Sequence, residues 1–529
     1  MKLIRLIAPI AFGLGLTTLF LFGVARGEAT DRRPSIAIVE TASAGMIRYV
    51  AVSGTDVGSC ANSTSPCRTP QYAVDQAAAG DEIRVAGGTY TGVSTRSATA
   101  DYPGPTVITQ VLHITKTVTV RGGYSADFAM WSPDTYPTTL DAQSQGRVVF
   151  IGGSVSPTIE GLRITGGDAS GLGGIPLFSR DGGGGVYVVT ATATLDGLEV
   201  FSNTAPSSFG RGGGVFLYHS ASTLSRSAVQ SNIVGFAGGG MDLWQSDGAS
   251  VIDNTIQGND ANVGGGVHAY QSGFTLIGNT IQDNFAFSGG GGVYLENSDQ
   301  PDHLPSLTGN LIVSNTATYA FSPGGGVYLF FSDPLMTGNV IRGNRAGYGG
   351  GAYFYHSDPT STNDVIRDNA ASQLGPGLYL DGSRAILLHT TLAQNTGADG
   401  SGLYVKENSD FVNTVYSTPD LTNAIIVQHT LGITVSAGNT ATLNSVLWFG
   451  NGSNTTGVGL VQATGAITGD PHFALDGYHL ISPSTAIDNG VFAGVFTDID
   501  GMTRPYGAGY DLGADEYWRF EIYLPLITR

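Results

Sequence analysis

A glycine triplet that keeps returning limits what this chain can fold into more than any other feature. It first appears as Gly183-Gly184-Gly185-Val186-Tyr187 and recurs at Gly212–Gly214, Gly238–Gly240, Gly264–Gly266, Gly290–Gly292, Gly324–Gly326 and Gly349–Gly351. Two weaker copies follow, Gly375-Pro376-Gly377 and Gly400-Ser401-Gly402. Measured on the last glycine, the steps are 29, 26, 26, 26, 34, 25, 26 and 25 residues. A near-constant period over nine copies marks a stacked repeat, in which each unit closes a core only against its neighbours.

Each unit has three parts. The glycine turn launches a short apolar strand such as Val293-Tyr294-Leu295-Glu296. A polar turn follows, often Ser-Asp, as at Ser246-Asp247 and Ser332-Asp333. Two apolar pieces then surround asparagine, and the second asparagine recurs at 203, 232, 259, 284, 315, 344, 369 and 395. Three short strands in about 26 residues fit one coil of a parallel β-helix. Repeated glycines oppose a helical repeat, since each interior glycine costs roughly 1 kcal/mol relative to alanine. The leucine spacing of leucine-rich repeats, the blade length of propellers and the calcium-binding nonapeptide are all missing. The asparagine column reads as scaffold, because coils about 4.8 Å apart let equivalent amides bond up the stack.

The chain divides by composition. Residues 1–29 read as a signal peptide: Lys2 and Arg5 precede an apolar run from Leu6 to Val24, then small residues near Ala25 and Ala29. An uncleaved anchor is the alternative, since the run approaches the length of a spanning helix. Residues 30–48 form a linker, 49–110 an N-terminal cap with the first coils, and 111–469 the β-helix. Within the cap, Thr69-Pro70 starts a helix over Gln71–Ala79, which Gly80 stops. Cys60 and Cys67 are the only cysteines, and their spacing and the export signal favour one local disulfide over two free thiols. A net charge of −18, with lysine only at Lys2, Lys116 and Lys406, excludes nucleic acid as a partner. The fold class expected is all-β: a single-stranded parallel β-helix with a short capping helix and a small C-terminal β-rich module. The expected state is a monomer.

The paired motifs resemble right-handed parallel β-helix proteins of the pectate-lyase-like superfamily. More narrowly, Gly-Gly-Gly-Val with apolar-x-x-Asn is similar to the repeats of bacterial polymorphic outer-membrane proteins, with Ile256, Ile281 and Ile341 where that family has Phe. Cys60, Pro66-Cys67, Ala73, Gly80-Asp81 and Gly88-Thr89-Tyr90 resemble the entry cap of secreted β-helix proteins. In 470–518, Asp470-Pro471-x-Phe473, Ser482-Pro483-Ser484-x-Ala486-Ile487-Asp488, Asp498-x-Asp500-Gly501, Arg504-Pro505 and Asp511-x-Gly513-Ala514-x-Glu516 resemble the choice-of-anchor module that ends many bacterial surface β-helix proteins. That resemblance implies export, cell-surface display and envelope attachment through this module. Residues 519–529 form an apolar tail, too short to span a membrane.

Alternation after each glycine turn sends valine inward and the next residue outward. The outward column is then Tyr187, Phe216, Asp242, His268, Tyr294, Tyr328, Tyr353, Tyr379 and Tyr404, with Tyr218, Trp244, Tyr270, Phe330 and Tyr355 two residues further on. Aromatics in adjacent outward columns point to a polysaccharide or cell-surface glycan laid along the face, or to rings that stack across coils and stabilise the sheet. Asp242 and His268 on consecutive coils suit acid/base work or an ion pair. Arg342 and Arg367 share one repeat position, as a basic group for a lyase or as part of a polar column. Asp498 and Asp500 are candidate calcium ligands or turn aspartates facing Arg504; no other cofactor is indicated. The expectation is a non-catalytic adhesin or polysaccharide-binding protein. The alternatives are a polysaccharide lyase or glycoside hydrolase of the same superfamily, and a structural surface-layer component.

Overall fold

In the computed structural model, which describes residues 45–175, 180–299, 303–409 and 414–518, each repeat is one coil of a parallel β-helix. The expected signal peptide, most of the linker and the apolar tail lie outside these residues. One coil shows the plan. Val267–Tyr270 follows the glycine triplet, Thr275–Ile277 and Thr280–Gln282 form the second and third sides, and Phe285–Gly289 adds a short fourth piece. Each strand pairs in parallel with its equivalent one coil on, as Val267–Tyr270 does with Val293–Glu296.

Stacked, these pieces make a 14-stranded glycine sheet, a 15-stranded middle sheet and a 14-stranded asparagine sheet. The fourth piece forms a lateral strip of eight short strands from Thr204–Ala205 to Thr396–Gly397, beyond the three strands per coil read from the repeat. Its sequence signal is weak because the pieces are two to five residues long and all but the last, Thr396–Gly397, bury just one alanine or valine, as with Ala261, Ala286 and Ala317. The core is the interior of the coil, filled by the alternate residues Val267 and Ala269, Leu276 and Ile281 and their equivalents.

The glycine triplet is the corner where the lateral strip bends into the glycine sheet. Gly264 has φ +60°, a conformation costly to any residue with a Cβ. A Cβ on Gly265 would lie 2.3 Å from the Phe285 carbonyl oxygen and 2.6 Å from that of Gly291. The corner therefore needs glycine both for its dihedral angle and for the approach of neighbouring backbones.

Polar ladders fix the stacking. Asn232, Asn259, Asn284 and Asn315 are buried, and each side-chain amide donates to the next asparagine's Oδ1 at 2.9–3.1 Å. The same oxygen accepts the preceding asparagine's backbone N–H, and each amide also donates to a backbone carbonyl, so the buried amides are satisfied. A second ladder runs through Asn254, Asn279, Asn310 and Asn339. A third is built from serine: the backbone N–H of Ser246, Ser272, Ser298 and Ser332 each meets the next hydroxyl at 3.0–3.2 Å.

At the N-terminal end Thr69 caps a helix over Pro70–Gln76, shorter than the sequence reading because Ala77 turns extended. The helix ends there because Lys116 Nζ takes up the carbonyls of Val74, Asp75 and Ala77. Cys60 and Cys67 form the expected disulfide. Residues 470–518 differ from a β-rich module. Their strand pairing is limited to the bridges Phe473–Leu480, Gly490–Tyr510 and Thr497–Thr503, and turn carboxylates hold the rest. The segment folds back along the asparagine sheet, where Leu480, Ala486 and Leu512 pack on Ala393, Ile425, Val427 and Leu447. The backbone amides of Gly513 and Val491 bond Asn423 there.

Asp364 replaces asparagine in the second ladder, accepting from the Asn339 backbone and side-chain amides at 2.7 and 2.9 Å. Burial pushes its carboxyl up to about 6. A raised folded pKa means the proton is held more tightly in the native state. The stability cost is absent below the ordinary value near 3.8, grows as pH rises to about 6 and is full above it. We predict that Asp364→Asn stabilises the protein at pH 7.5 by up to about 3 kcal/mol relative to its effect at pH 4. Urea unfolding at the two pH values measures this, and a difference that does not change with pH contradicts it.

Candidate functional site

Strand register aligns the outward residues of the glycine sheet as the repeat predicts. Tyr187 pairs with Phe216, then Asp242, His268, Tyr294, Tyr328, Tyr353, Tyr379 and Tyr404 in turn. The column also extends upstream to Phe150 and His113, outside the repeats with glycine triplets. It is outside the coil but not in solvent. Tyr187, Phe216, Asp242 and His268 are fully buried, and Tyr294, Tyr353 and Tyr379 are nearly so. At the N-terminal end Tyr102 and Ile175, from two long excursions of the chain, cover Phe150, Tyr187 and Phe216.

The rings of this column spend their faces on one another. Tyr294 and Tyr328 stack at 4.7 Å, Tyr353 and Tyr379 at 4.8 Å, and Tyr379 and Tyr404 at 5.1 Å, all within 8° of parallel. The stacked groups follow the coil axis and are joined by the edge-to-face contact of Tyr328 with Tyr353 at 5.5 Å, so the rings stabilise the sheet through one another. Where the lateral strip meets the sheet, Tyr348 and Leu374 face Tyr353, Tyr379, Asp381, Tyr404 and Lys406 across a concavity of about 340 Å³. The Tyr353 hydroxyl donates to Asp381 Oδ2 there at 2.7 Å.

The second outward column is more open. Tyr218 is buried beside Phe216, but Trp244, Tyr270, Glu296, Phe330 and Tyr355 are half-exposed on successive coils. Each is followed by a residue with positive φ that turns the chain: His219, Gln245, Gln271, Asn297, Phe331 and His356. Gln245 Nε2 donates to Gln271 Oε1 at 2.8 Å, so this turn column carries a short amide ladder of its own. The sequence reading missed it. Its signal was a polar or aromatic residue directly after each launched strand, a position that tolerates a left-handed backbone.

Asp242 and His268 do meet, 3.0 Å apart. They belong to a buried charge network that spans four coils. Arg211 Nη1 reaches Asp242 Oδ2 at 3.1 Å, and His268 Nε2 reaches Glu296 Oε2 at 3.2 Å. Arg211 also lies over the Trp244 ring, 4.3 Å from its centroid. Burial alone lowers the His268 pKa, but Asp242 and Glu296 outweigh it and hold the imidazole above its ordinary value. Burial raises Glu296, and its hydrogen bond and attraction to His268 reverse this and keep the carboxyl below its ordinary value. Glu296 is the member of the network that reaches solvent.

The remaining candidates lie elsewhere. Arg342 and Arg367 are neighbours in the asparagine sheet, not the glycine sheet, so they do not join Asp242 and His268 in one site. Arg342 is exposed, and Arg367 pairs with Asp368 at 2.8 Å and lies against Gly477 of the C-terminal segment. Their separation from Asp242 follows from repeat position, because the outward last residue of an asparagine-sheet strand cannot reach across the packed core. Asp498 is buried and accepts the backbone N–H groups of Asp500, Met502 and Glu516, which is the work of a turn aspartate. Arg504 pairs with Glu516 at 2.9 Å rather than with Asp498. Asp500 meets His479 Nε2 at 2.7 Å, and His479, Asp500 and Asp515 bring potential ligand atoms within 4.8 Å of one another. That nitrogen-and-oxygen set differs from the all-oxygen shell of calcium.

Comparison with known proteins agrees with this geometry. The family described as the right-handed beta helix region matches residues 184–316 and 265–447. The chain is a right-handed parallel β-helix protein. Among solved structures it is similar to a pectate lyase, at 13% identity over 90% of this chain and 97% of that one, with a TM-score of 0.39. It is also similar to the A-module of a mannuronan C-5 epimerase of Azotobacter vinelandii, at 12% identity over 74% of this chain and 91% of that one, TM-score 0.33. A surface adhesin of Streptococcus pneumoniae is similar at 8% identity over 73% of this chain and 84% of that one, TM-score 0.28. No curated protein sequence matches. Among the described residues no helix is long and apolar enough to cross a membrane.

The buried network makes a stability prediction. Asp242→Ala strands Arg211 and His268 in the interior and is expected to cost about 3–5 kcal/mol, whereas a surface ion pair is worth about 1 kcal/mol or less. Because the folded pKa of His268 is raised, its contribution is fully present below the ordinary value of 6.5 and is lost as pH rises through the folded value. Denaturant unfolding of the variant checks the first statement, and a cost below 1 kcal/mol contradicts it.

Proposed function

We propose that this is an exported β-helix protein that binds an extended polysaccharide along the outer face of its glycine sheet, without catalysis. The observation that carries the reading is the strip of half-exposed rings at Trp244, Tyr270, Phe330 and Tyr355, flanked on the same coils by Gln245, Gln271 and His356. An aromatic body beside fixed hydrogen-bonding groups suits a ligand with apolar C–H faces and many hydroxyls. Trp244, Tyr270 and Tyr355 are each followed by a polar turn residue, while the coils between them carry Glu296 with Asn297 and Phe330 with Phe331; a site spread over five coils suits a polymer better than a small molecule. Tyr294, Tyr353 and Tyr379 behind the strip are nearly buried and set its position. Display at the cell surface, with attachment through residues 470–518, is part of the same proposal and rests on the resemblance of that segment.

Catalysis has one observation in its favour, the buried Arg211–Asp242–His268 network that ends on Glu296. It does not fit the usual paired-carboxylate chemistry. Glu296 is held below its ordinary pKa, which makes it a poor general acid. The next carboxylate in its column is Asp381, three coils on. At the ordinary strand spacing that is about 14 Å, beyond the 5–9.5 Å between the carboxyls of most glycoside hydrolases.

The reading predicts that the protein is retarded in native gels containing a suitable polysaccharide. Trp244→Ala combined with Tyr355→Ala should weaken that retardation at least about tenfold while thermal unfolding stays cooperative. Unchanged retardation by the double variant contradicts the site. Release of reducing ends or unsaturated sugars that Glu296→Gln abolishes would replace this reading with the catalytic one.

A further inference from the structure

The charge pattern of the strip narrows the ligand class, and this step rests on the binding site just proposed. Across the two outward columns and the turn column of the nine coils from Tyr187 to Glu407, the charged side chains apart from histidine are Asp242, Glu296, Asp381, Lys406 and Glu407. One lysine thus stands against four carboxylates. Lys406 Nζ lies 3.9 Å from Asp381 Oδ2, so even this cation is partly committed. Arg211 enters the strip from the preceding turn but is buried, and its guanidinium is spent on Asp242 and the Trp244 ring. His268 is fully buried with both nitrogens engaged.

A chain of uronate residues carries one negative charge per sugar. Lying along this strip it would meet Glu296 near the centre, and the one lysine of these columns, Lys406, stands at the far end beside Asp381. A polyuronate site needs the reverse arrangement, with arginines or lysines aimed outward or a bridging cation held by clustered carboxylates. Glu407, one coil beyond Asp381, is spent on Ser436 and Asn439, and the other carboxylates of the strip lie apart. Asp242 is buried under Arg211, and Glu296 is separated from Asp381 by the coils of Phe330 and Tyr355.

What the strip does offer is neutral. Gln245 and Gln271 are half-exposed and bonded to each other, which fixes one amide oxygen and one amide nitrogen for an incoming hydroxyl. Asn297 continues the same turn column one coil on, beside Glu296. Carboxamides satisfy hydroxyls without selecting for charge, and each removes its desolvation cost only if the ligand returns a hydrogen bond. We propose that the site takes an uncharged, hydroxyl-rich glycan chain and rejects polyuronates.

The test is affinity electrophoresis of the full chain in gels containing hydroxyethyl cellulose, a galactomannan, polygalacturonate or alginate, at low salt and at 0.15 M salt, where charge effects are screened. The expected result is retardation by at least one neutral polymer that salt leaves unchanged, and none by the two polyuronates at low salt. Gln271→Ala with Asn297→Ala should weaken the neutral binding about tenfold. Thermal unfolding of that variant confirms that it folds. Retardation by polygalacturonate or alginate that Tyr355→Ala removes would overturn the neutral class and leave the binding site standing. Retardation by none of the four polymers overturns the site itself, and the neutral class with it.

Discussion

Each buried asparagine of the main ladder answers to the coils on either side of it. Asn259 gives its side-chain N–H to Asn284 and to the Val229 carbonyl, and its oxygen receives both N–H groups of Asn232. A coil shifted by one residue along its neighbour would leave these groups unpaired in a dry interior, at about 1–3 kcal/mol for each. The ladder is therefore a register lock. Everything on the outside of the glycine sheet depends on it, because a one-residue slip would turn every ring of the strip inward and every core valine outward.

Register explains why so much of the architecture was legible in sequence. The period of the glycine triplets locates the coil, and alternation after each triplet places Tyr294 and Tyr328, or Asp242 and His268, beside one another. What alternation does not contain is depth. Outward from the coil is not the same as toward water, and Tyr187 and Phe216 are covered by Tyr102, from a distant part of the chain, and by Ile175, from the segment just before the first glycine triplet. The partners of Asp242 were hidden for a related reason. Arg211, which pairs with Asp242, and Glu296, which pairs with His268, sit on different coils and in different positions of the repeat, so no column unites them.

The C-terminal segment shows the limit of motif reading in another way. Its aspartates and glycines were visible as a set, and Asp498 accepts the backbone N–H groups of Asp500, Met502 and Glu516. Its docking was not visible. Leu480, Ala486 and Leu512 are too few to announce a surface, and their counterpart on the asparagine sheet is the apolar patch of Ala393, Ile425, Val427 and Leu447. The contact places Arg504 and Glu516 in a buried pair against that side of the solenoid. Arg342 and Arg367 belong to the same side, which separates them from the glycine sheet and from any chemistry there.

The central claim is that the amide ladder holds the register from which the outer strip follows. Amide hydrogen exchange in Asn284→Ala tests this most directly. In the native protein the backbone N–H of Asn259 donates to Asn284 Oδ1 at 3.0 Å. The account predicts that protection is lost first at Asn259 and Phe285 and then spreads into the strands Met241–Trp244, Val267–Tyr270 and Val293–Glu296, while coils beyond Tyr353 keep theirs. Unchanged protection across those three strands, with only the Asn259 amide exposed, would show that the register is held by something other than the ladder.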